Sequence, residues 1–391
     1  MVEQEIYLDN NGTTRPLPEV CQAVMEAMGP SFGNPSSDHA AGNRARRIVA
    51  QARHHVAALL GGRSDQIVFT SSGTEANNLV ILSAAVPPAR IVSTRVEHSS
   101  VLRTLEVLQQ RGVEVVFVPV DGTGCVELDS LEKALRKETS LVSIQWVNNE
   151  TGTIQPIDEI AELCGRSGIP LHTDAAQAFG KVPVRVQELS IDYATVTAHK
   201  IHGPQGVGAV YARNPARLSP MLFGGPQEAG LRAGTENVPG IAGFGKAAEC
   251  RSANQPAAQA ALAALRDQFE QRVCQLVPGI SINGDPSRRV CNTTNLCFHG
   301  LDGQALVARL DLQGVRCSQS SACTSQRPEP SYVLRAMGLS EEDAYASIRF
   351  SFGLFNTEEE IDIAVATIRD LCTELRGFAA RLHNPYHSAR A

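Results

Sequence analysis

Lys200 stands between two histidines in TAHKIHGPQGVGA, directly after the apolar run DYATVT (192–197). Burying a lysine is costly, and an amine at a strand end can condense with an aldehyde to form an imine. Asp174 closes another apolar run, IPLHTD (169–174), upstream of that lysine. It reads either as a helix cap or surface turn, or as an acid held to pair with a ligand cation. After QIVFT (66–70), the turn SSGTE brings Gly73 and Thr74 to the opening of a helix. Free N–H groups and the positive end of a helix dipole make such a turn a cup for phosphate, although Ser and Thr also cap helices with no ligand present. His199 and His202 form an H-x-x-H pair, a weak metal pattern without an evident third ligand, so no metal site is expected. Together the members supply a phosphate cup, an acid for a ring nitrogen and an imine-forming lysine, the set that pyridoxal phosphate demands. No single member would imply it.

Cys323 lies apart, in SQSSACTSQRPEP (318–330), among small hydroxyl residues and with no base beside it in sequence. Taken alone it is either a passive loop thiol or a nucleophile whose base comes from elsewhere.

The elements that must carry these groups follow from hydrophobic patterning. Seven β-branched runs, at 66–70, 89–94, 113–120, 140–147, 169–174, 192–197 and 206–212, alternate with amphipathic stretches such as EANNLVILSAA and IDEIAELCGRSG. This predicts an α/β fold with a mainly parallel seven-stranded sheet, whose ligands bind beyond the carboxyl ends of the strands. The link between the last two runs is too short for a helical crossover, so one of them is expected to run antiparallel. An alanine-rich stretch from Ile241 to Val273 reads as one or two helices leading out of the first domain, with a break expected at Pro256. Strands near TTNLCF and SIRFSF, and helices near GQALVARLDL and TEEEIDIAVATIRDLCTELRGF, then make an α+β pattern. The expected division is a large domain over 15–250 and a smaller α+β domain built from 1–14 and 251–391. The tail HNPYHSARA is expected to fray.

Bulk properties narrow the class. A formal charge of -6 argues against a nucleic-acid binder or an anionic-membrane binder. No uncharged apolar run is long enough to span a bilayer. Acids in MVEQEIYLDN occupy the place where a signal peptide carries basic and then apolar residues, which points to the cytoplasm. Ten cysteines are scattered without any C-x-x-C, so they are expected to be reduced and mostly buried.

YLDNNGTT, GNPSS, FTSSGTEANN, VEHSSV, VNNETGTIQPI, HTDAAQAFGK, TAHKIHGPQGVGA, RAGTENVPGIAG, SSACTS, EPSYVLRAMG and SIRFSFG occur in the order seen in cysteine desulfurases. The resemblance, to pyridoxal-phosphate enzymes of the class V aminotransferase family with the type I fold, runs from about residue 6 to 375. It implies that Lys200 binds the cofactor as an imine and that His98 stacks on its ring and relays protons. Asp174 would pair with the ring nitrogen and Gln177 with the ring hydroxyl. Thr74, beside Gly73, would bind the phosphate with Thr197 and His199, and Thr235 would do so from a neighbouring subunit, which implies a homodimer with shared sites. Asn149, which would also contact the cofactor, and Arg349 would grip the substrate carboxylate.

Cys323 would accept sulfur on a long, mobile loop (about 317–330), as in the branch serving iron–sulfur assembly. The implied reaction turns L-cysteine into L-alanine and leaves a persulfide on Cys323. A sulfur-acceptor protein, an iron–sulfur scaffold or a thiolation relay, would then take the sulfur. Selenocysteine lyases and other class V enzymes share much of the pattern, and a non-catalytic sulfur relay is the rival from another class. Gly12, Pro226 and Ala229 depart from the usual residues, and the tail is shorter than that with which housekeeping members dock their scaffold.

Overall fold

The structure, a computed structural model, describes residues 5–319 and 330–382. Its first half comprises β1 (Ile6–Tyr7), α1 (Pro18–Met28), α2 (Ala40–Leu60), β2 (Ile67–Thr70), α3 (Gly73–Ala84), β3 (Arg90–Thr94), α4 (Ser99–Gln110) and β4 (Glu114–Val118). There follow α5 (Leu128–Ala134), β5 (Thr139–Ser143), α6 (Ile157–Ser167), β6 (Leu171–Asp174), β7 (Tyr193–Thr197), β8 (Gly208–Ala212) and α7 (Val238–Leu276). The remainder is β9 (Ile280–Asn283), β10 (Thr293–Phe298), α8 (Gly303–Leu312), β11 (Val315–Arg316), α9 (Tyr332–Ala336), α10 (Glu341–Tyr345), β12 (Ser347–Ser351) and α11 (Glu358–Leu382).

All seven predicted runs enter one sheet, ordered β2-β8-β7-β6-β5-β3-β4. Its strands are parallel except β8, which runs antiparallel to both β2 and β7, as the short link required. One face packs Val49, Val56, Phe179 and Phe244 with α2 and α7, and the other packs Leu79, Leu105 and Val210 with α3 and α4. Helices on both faces explain why the central strands read as unbroken apolar runs. Where α2 and α7 cross, a Cβ on Gly245 would stand 2.4 Å from the Ala52 Cα, so only glycine permits the approach.

A three-stranded antiparallel sheet, β12-β10-β9, carries a second cluster around Phe269, Phe298, Phe350 and Phe352. Ile6 and Leu8 pack into it, and β1 pairs with β11. The long helix α7 serves both clusters, and here the structure differs from the expected break: the helix continues through Pro256. A proline inside a helix costs about 3 kcal/mol. Clamping one half against α2 and burying Phe269 and Val273 on the other outweighs that loss. The cysteines also correct the expectation of general burial. Among the described residues none is disulfide-bonded, but only Cys164, Cys297 and Cys372 are buried, while Cys21 and Cys274 are exposed on helices. The tail 383–391 lies outside the described residues. No helix is long and apolar enough to cross a membrane, among the residues described.

Candidate active site

A cavity of about 230 Å³ opens beyond the carboxyl ends of β2, β6 and β7. It gathers Gly73, Thr74, His98, Asn149, Asp174, Gln177, Thr197, His199, Lys200 and Arg349, residues drawn from most of the chain. Ser72 caps α3 by accepting from the Glu75 N–H at 3.2 Å, which leaves the first-turn N–H groups of Gly73 and Thr74 without intrahelical acceptors at the cavity wall. The cap reading and the phosphate-cup reading of this turn are therefore compatible. Gly208 lets β8 pass behind the turn, because a Cβ there would meet the Ser72 carbonyl carbon at 2.7 Å.

Asp174 is buried at the end of β6. Its Oδ2 accepts from Asn77 Nδ2 at 2.7 Å and its Oδ1 from the Ala176 N–H at 3.0 Å. A carboxylate held this way has its charge fixed at the cavity wall and suits a cationic ring nitrogen. His98 caps α4, its Nδ1 accepting from the Ser100 N–H at 3.2 Å. Lys200 Nζ donates to the Asn11 carbonyl, and to the Gly12 carbonyl at 2.6 Å, so the amine is oriented by two main-chain acceptors. His199 is held neutral: burial, then the charges of Lys200, Lys181 and His98, pull its pKa down to about 3. A neutral imidazole keeps one donor and one acceptor.

Arg349 projects from the centre of β12 and is almost wholly buried. Its Nη1 donates to the Asn149 carbonyl at 3.0 Å and its Nη2 to Asp9 Oδ1 at 2.5 Å. Two further buried atoms, Arg349 Nε and Asn149 Oδ1, have no partner among the described residues. Buried polar groups are normally satisfied, so an orphan donor and an orphan acceptor at one cavity mark the place of a polar ligand. The donor set therefore fits pyridoxal phosphate and an amino acid carboxylate. Gly12 bears on the same pair, since a methyl there would approach Asp9 Oδ2 to 2.6 Å and disturb the acid that holds Arg349.

One described residue among those predicted is not in this cavity. Thr235 lines a separate groove with Arg232 and Asn237. Cys323 lies outside the described residues, as does most of the 317–330 stretch, but both flanks of its segment are fixed. Before it, Ser318 and Arg349 exchange main-chain hydrogen bonds of 2.7 and 3.3 Å. After it, Ser331 donates to Glu150 Oε2 at 2.5 Å and Tyr332 to the Glu97 carbonyl at 2.8 Å. Glu150 and Glu97 are the sequence neighbours of Asn149 and His98. The H-x-x-H pair does not act as a unit: His202 Nδ1 donates to the Arg15 carbonyl at 2.8 Å, whereas His199 Nδ1 faces Thr13 Oγ1 at 3.2 Å. The departure at Pro226 and Ala229 forms a tight turn with φ of 48° at Glu228 and 57° at Ala229. It delivers Glu228 to a bidentate pair with Arg53 at 2.5 and 2.7 Å.

Sequence reasoning missed Asn11, Asn77, Glu97 and Lys181. Asn77 and Asn11 had a signal in the polar strings EANN and LDNN, but nothing local shows that one fixes Asp174 and the other Lys200. Glu97 is fully buried behind His98, where burial, opposed by hydrogen bonds from the Gln145 N–H and Thr94 and helped by the Asp174 charge, raises its pKa to about 8. Gln145 and Asp174 become its neighbours only in the folded sheet, whereas Thr94 is three residues away in sequence.

With that geometry in hand, comparisons with known proteins are specific. The family described as "Aminotransferase class-V" matches residues 6–363. A cysteine desulfurase of Trichormus azollae is 45% identical over 377 residues, 96% of this chain and 94% of the relative. A solved NifS-like protein superposes with a TM-score of 0.90 at 35% identity, covering 95% of this chain and all of the other, 100%. The structure described as SspA in complex with cysteine gives 0.80 at 32% identity, over 90% of this chain and 100% of that one. The ordered motifs, the strand-end cavity and these matches agree: the chain belongs to the class V aminotransferase family, among its cysteine desulfurases.

Proposed function

We propose that the protein uses pyridoxal phosphate to convert L-cysteine to L-alanine, passing the sulfur to Cys323 as a persulfide. The observation that carries this reading is the fixing of both flanks of the Cys323 segment to the cavity rim. Cys323 is five residues beyond Ser318, and a chain spans at most about 3.6 Å per residue, so its Cα can lie no more than roughly 18 Å from the Ser318 Cα, which is hydrogen-bonded through its main chain to Arg349.

Pyridoxal phosphate, when bound, supplies an electron sink that loosens the Cα–H bond of an amino acid and activates its side-chain sulfur. The chain supplies the remainder. Gly73, Thr74, Thr197 and His199 would bind the phosphate, and Asp174 would pair with the ring nitrogen. Asn149 and Arg349 orient the substrate carboxylate, with the guanidinium offering the geometry a carboxylate prefers. Lys200 Nζ would hold the cofactor through its aldehyde, and as an amine beside the substrate it would take the Cα proton, with His98 as relay.

Cys323 then attacks the substrate sulfur as a thiolate. An S–S bond forms, the Cβ–S bond breaks, and its electron pair stays with Cβ, which takes a proton to become the methyl of alanine. A free thiol with a pKa of about 8.5 is little ionised at neutral pH, so a base at the cavity, with His98 in place for it, would take its proton. A cytoplasmic homodimer, with Thr235 completing the partner's phosphate site, and division into units 15–250 and 1–14 plus 251–391 belong to the same reading. The persulfide sulfur then passes to an acceptor protein, an iron–sulfur scaffold or a thiolation relay.

Mass spectrometry after incubation with L-cysteine is expected to show one added sulfur on Cys323 and alanine in solution. Cys323→Ala should keep the cofactor's absorption near 420 nm, of the order expected for a conjugated imine, and form no alanine. Undiminished alanine from that variant would instead identify another class V activity. Turnover of selenocysteine without persulfide on Cys323 would identify a selenocysteine lyase.

A further inference from the structure

Lys181 is buried four residues after Gln177, its ammonium turned toward the cavity wall. Its Nζ donates to Gln177 Oε1 at 2.7 Å, and it reaches Asn11 Oδ1 at 3.5 Å. Gln177 Nε2 in turn donates to the Asn11 carbonyl at 3.0 Å. Asn11 is itself immobilised: its Nδ2 donates to Thr293 Oγ1 at 2.9 Å and to the Asn149 carbonyl at 3.1 Å, and its N–H to Ser351 Oγ at 2.9 Å.

The chemistry of these three groups allows one orientation of the amide. An ammonium has donors only, and a main-chain carbonyl is an acceptor only. Rotating the Gln177 amide by half a turn would set NH2 against NH3⁺ and oxygen against oxygen. Both contacts therefore enforce the same arrangement. One N–H of Gln177 goes to Asn11, and since the side chain also lines the cavity, the second is the polar group it can offer there.

We propose that Lys181 is a positioning residue that locks the Gln177 amide so the cavity meets an N–H donor rather than a carbonyl, favouring an anionic oxygen on the cofactor ring. This rests on the pyridoxal-phosphate reading above. It also gives a reason for an expensive arrangement, a lysine without a carboxylate partner among the described residues. Burial pulls its pKa down to about 7, against the opposing charge of Cys291 and with the help of Lys200, Arg251 and Arg349, so the donor-only form that enforces the lock is the one held below about pH 7.

The test is a spectrophotometric pH titration of the reconstituted protein, following the imine band near 420 nm. A donor to the ring oxygen lowers the imine pKa, because it draws away negative charge that would otherwise hold the imine proton. Lys181→Met removes the lock while filling the same apolar volume, and is expected to raise the titration midpoint by about one pH unit, a tenfold change in the equilibrium. In a Gln177→Ala background the same exchange should shift nothing further, as a double-mutant cycle requires of a residue acting through Gln177. Lys181→Leu serves the same cycle, and thermal melting checks the fold of each variant. An unmoved midpoint, or an equal shift in both backgrounds, would mean that Lys181 acts as a bare charge or not at all, and overturns the lock alone. Absence of the band from the wild-type protein overturns the cofactor reading and the lock with it.

Discussion

Asn11 ties together groups that do different work. Its carbonyl accepts from both Lys200 and Gln177, and its side chain reaches Asn149 and Thr293. A residue with no chemistry of its own thus sets the distance between the amine and the carboxylate-binding groups. Glu97 shows the same principle beneath the site. Its carboxyl has a usual pKa of 4.5 and is raised to about 8 in the folded protein. The folded state therefore binds a proton that the unfolded state has released between those values. Stability contributed by this group is complete below pH 4.5 and is lost as pH rises through about 8. The slope is at most about 1.4 kcal/mol per pH unit. Glu97→Gln, which cannot ionise, is expected to flatten that part of the profile in denaturant titrations across the range. An unchanged slope would show that the wild-type carboxyl is ionised throughout.

Elements decide where the phosphate cup stands. The turn before α3 is pressed between its own helix and β8, and the antiparallel direction of β8 brings Gly208 opposite Thr70 at the turn's entrance. An added methyl at Gly208 would meet three main-chain atoms of Ser72 and Gly73 between 2.7 and 3.0 Å. Main-chain atoms cannot swing away as a side chain can, so the turn itself must move. Gly208→Ala is expected to weaken retention of pyridoxal phosphate about tenfold or more and to cost on the order of 1–3 kcal/mol in stability. Equilibrium dialysis with the cofactor and a melting curve measure the two effects. Retention equal to wild type would show that the cup does not depend on this approach.

For the whole molecule, the position of Thr235 makes a prediction about assembly. It lies in a groove separate from the Lys200 cavity of its own chain. If it serves the partner's site, Lys200→Ala and Thr235→Arg are each expected to be nearly inactive as pure dimers. Co-expressed, they should regain activity, because one site of a mixed dimer then combines an intact Lys200 with an intact Thr235. No restoration, with mixed dimers verified by mass, would place Thr235 in the service of its own chain. The two sheets share the task differently. The seven-stranded sheet presents Asp174 and Lys200, whereas β12 brings Arg349, and with it Ser318, to the opposite wall.

The amino-acid sequence by itself determined the seven main strands, the antiparallel return of β8 and the residues able to do chemistry. Those properties depend on local pattern: alternation of apolar runs, loop length, and a costly charged residue at a strand end. Sequence also singled out Asp174 and Lys200 without showing what holds them. Tertiary structure alone decided that Asn77 fixes Asp174, that Asn11 fixes Lys200, and that Lys181 turns the Gln177 amide. It also decided that α7 runs unbroken through Pro256. The deciding interaction joins residues far apart in the chain or sums packing over two clusters, and even the four-residue Lys181–Gln177 contact gains its meaning from Asn11, far upstream. Local preference is silent there, because a hydrogen bond or buried contact has no energy until the fold brings its two sides together.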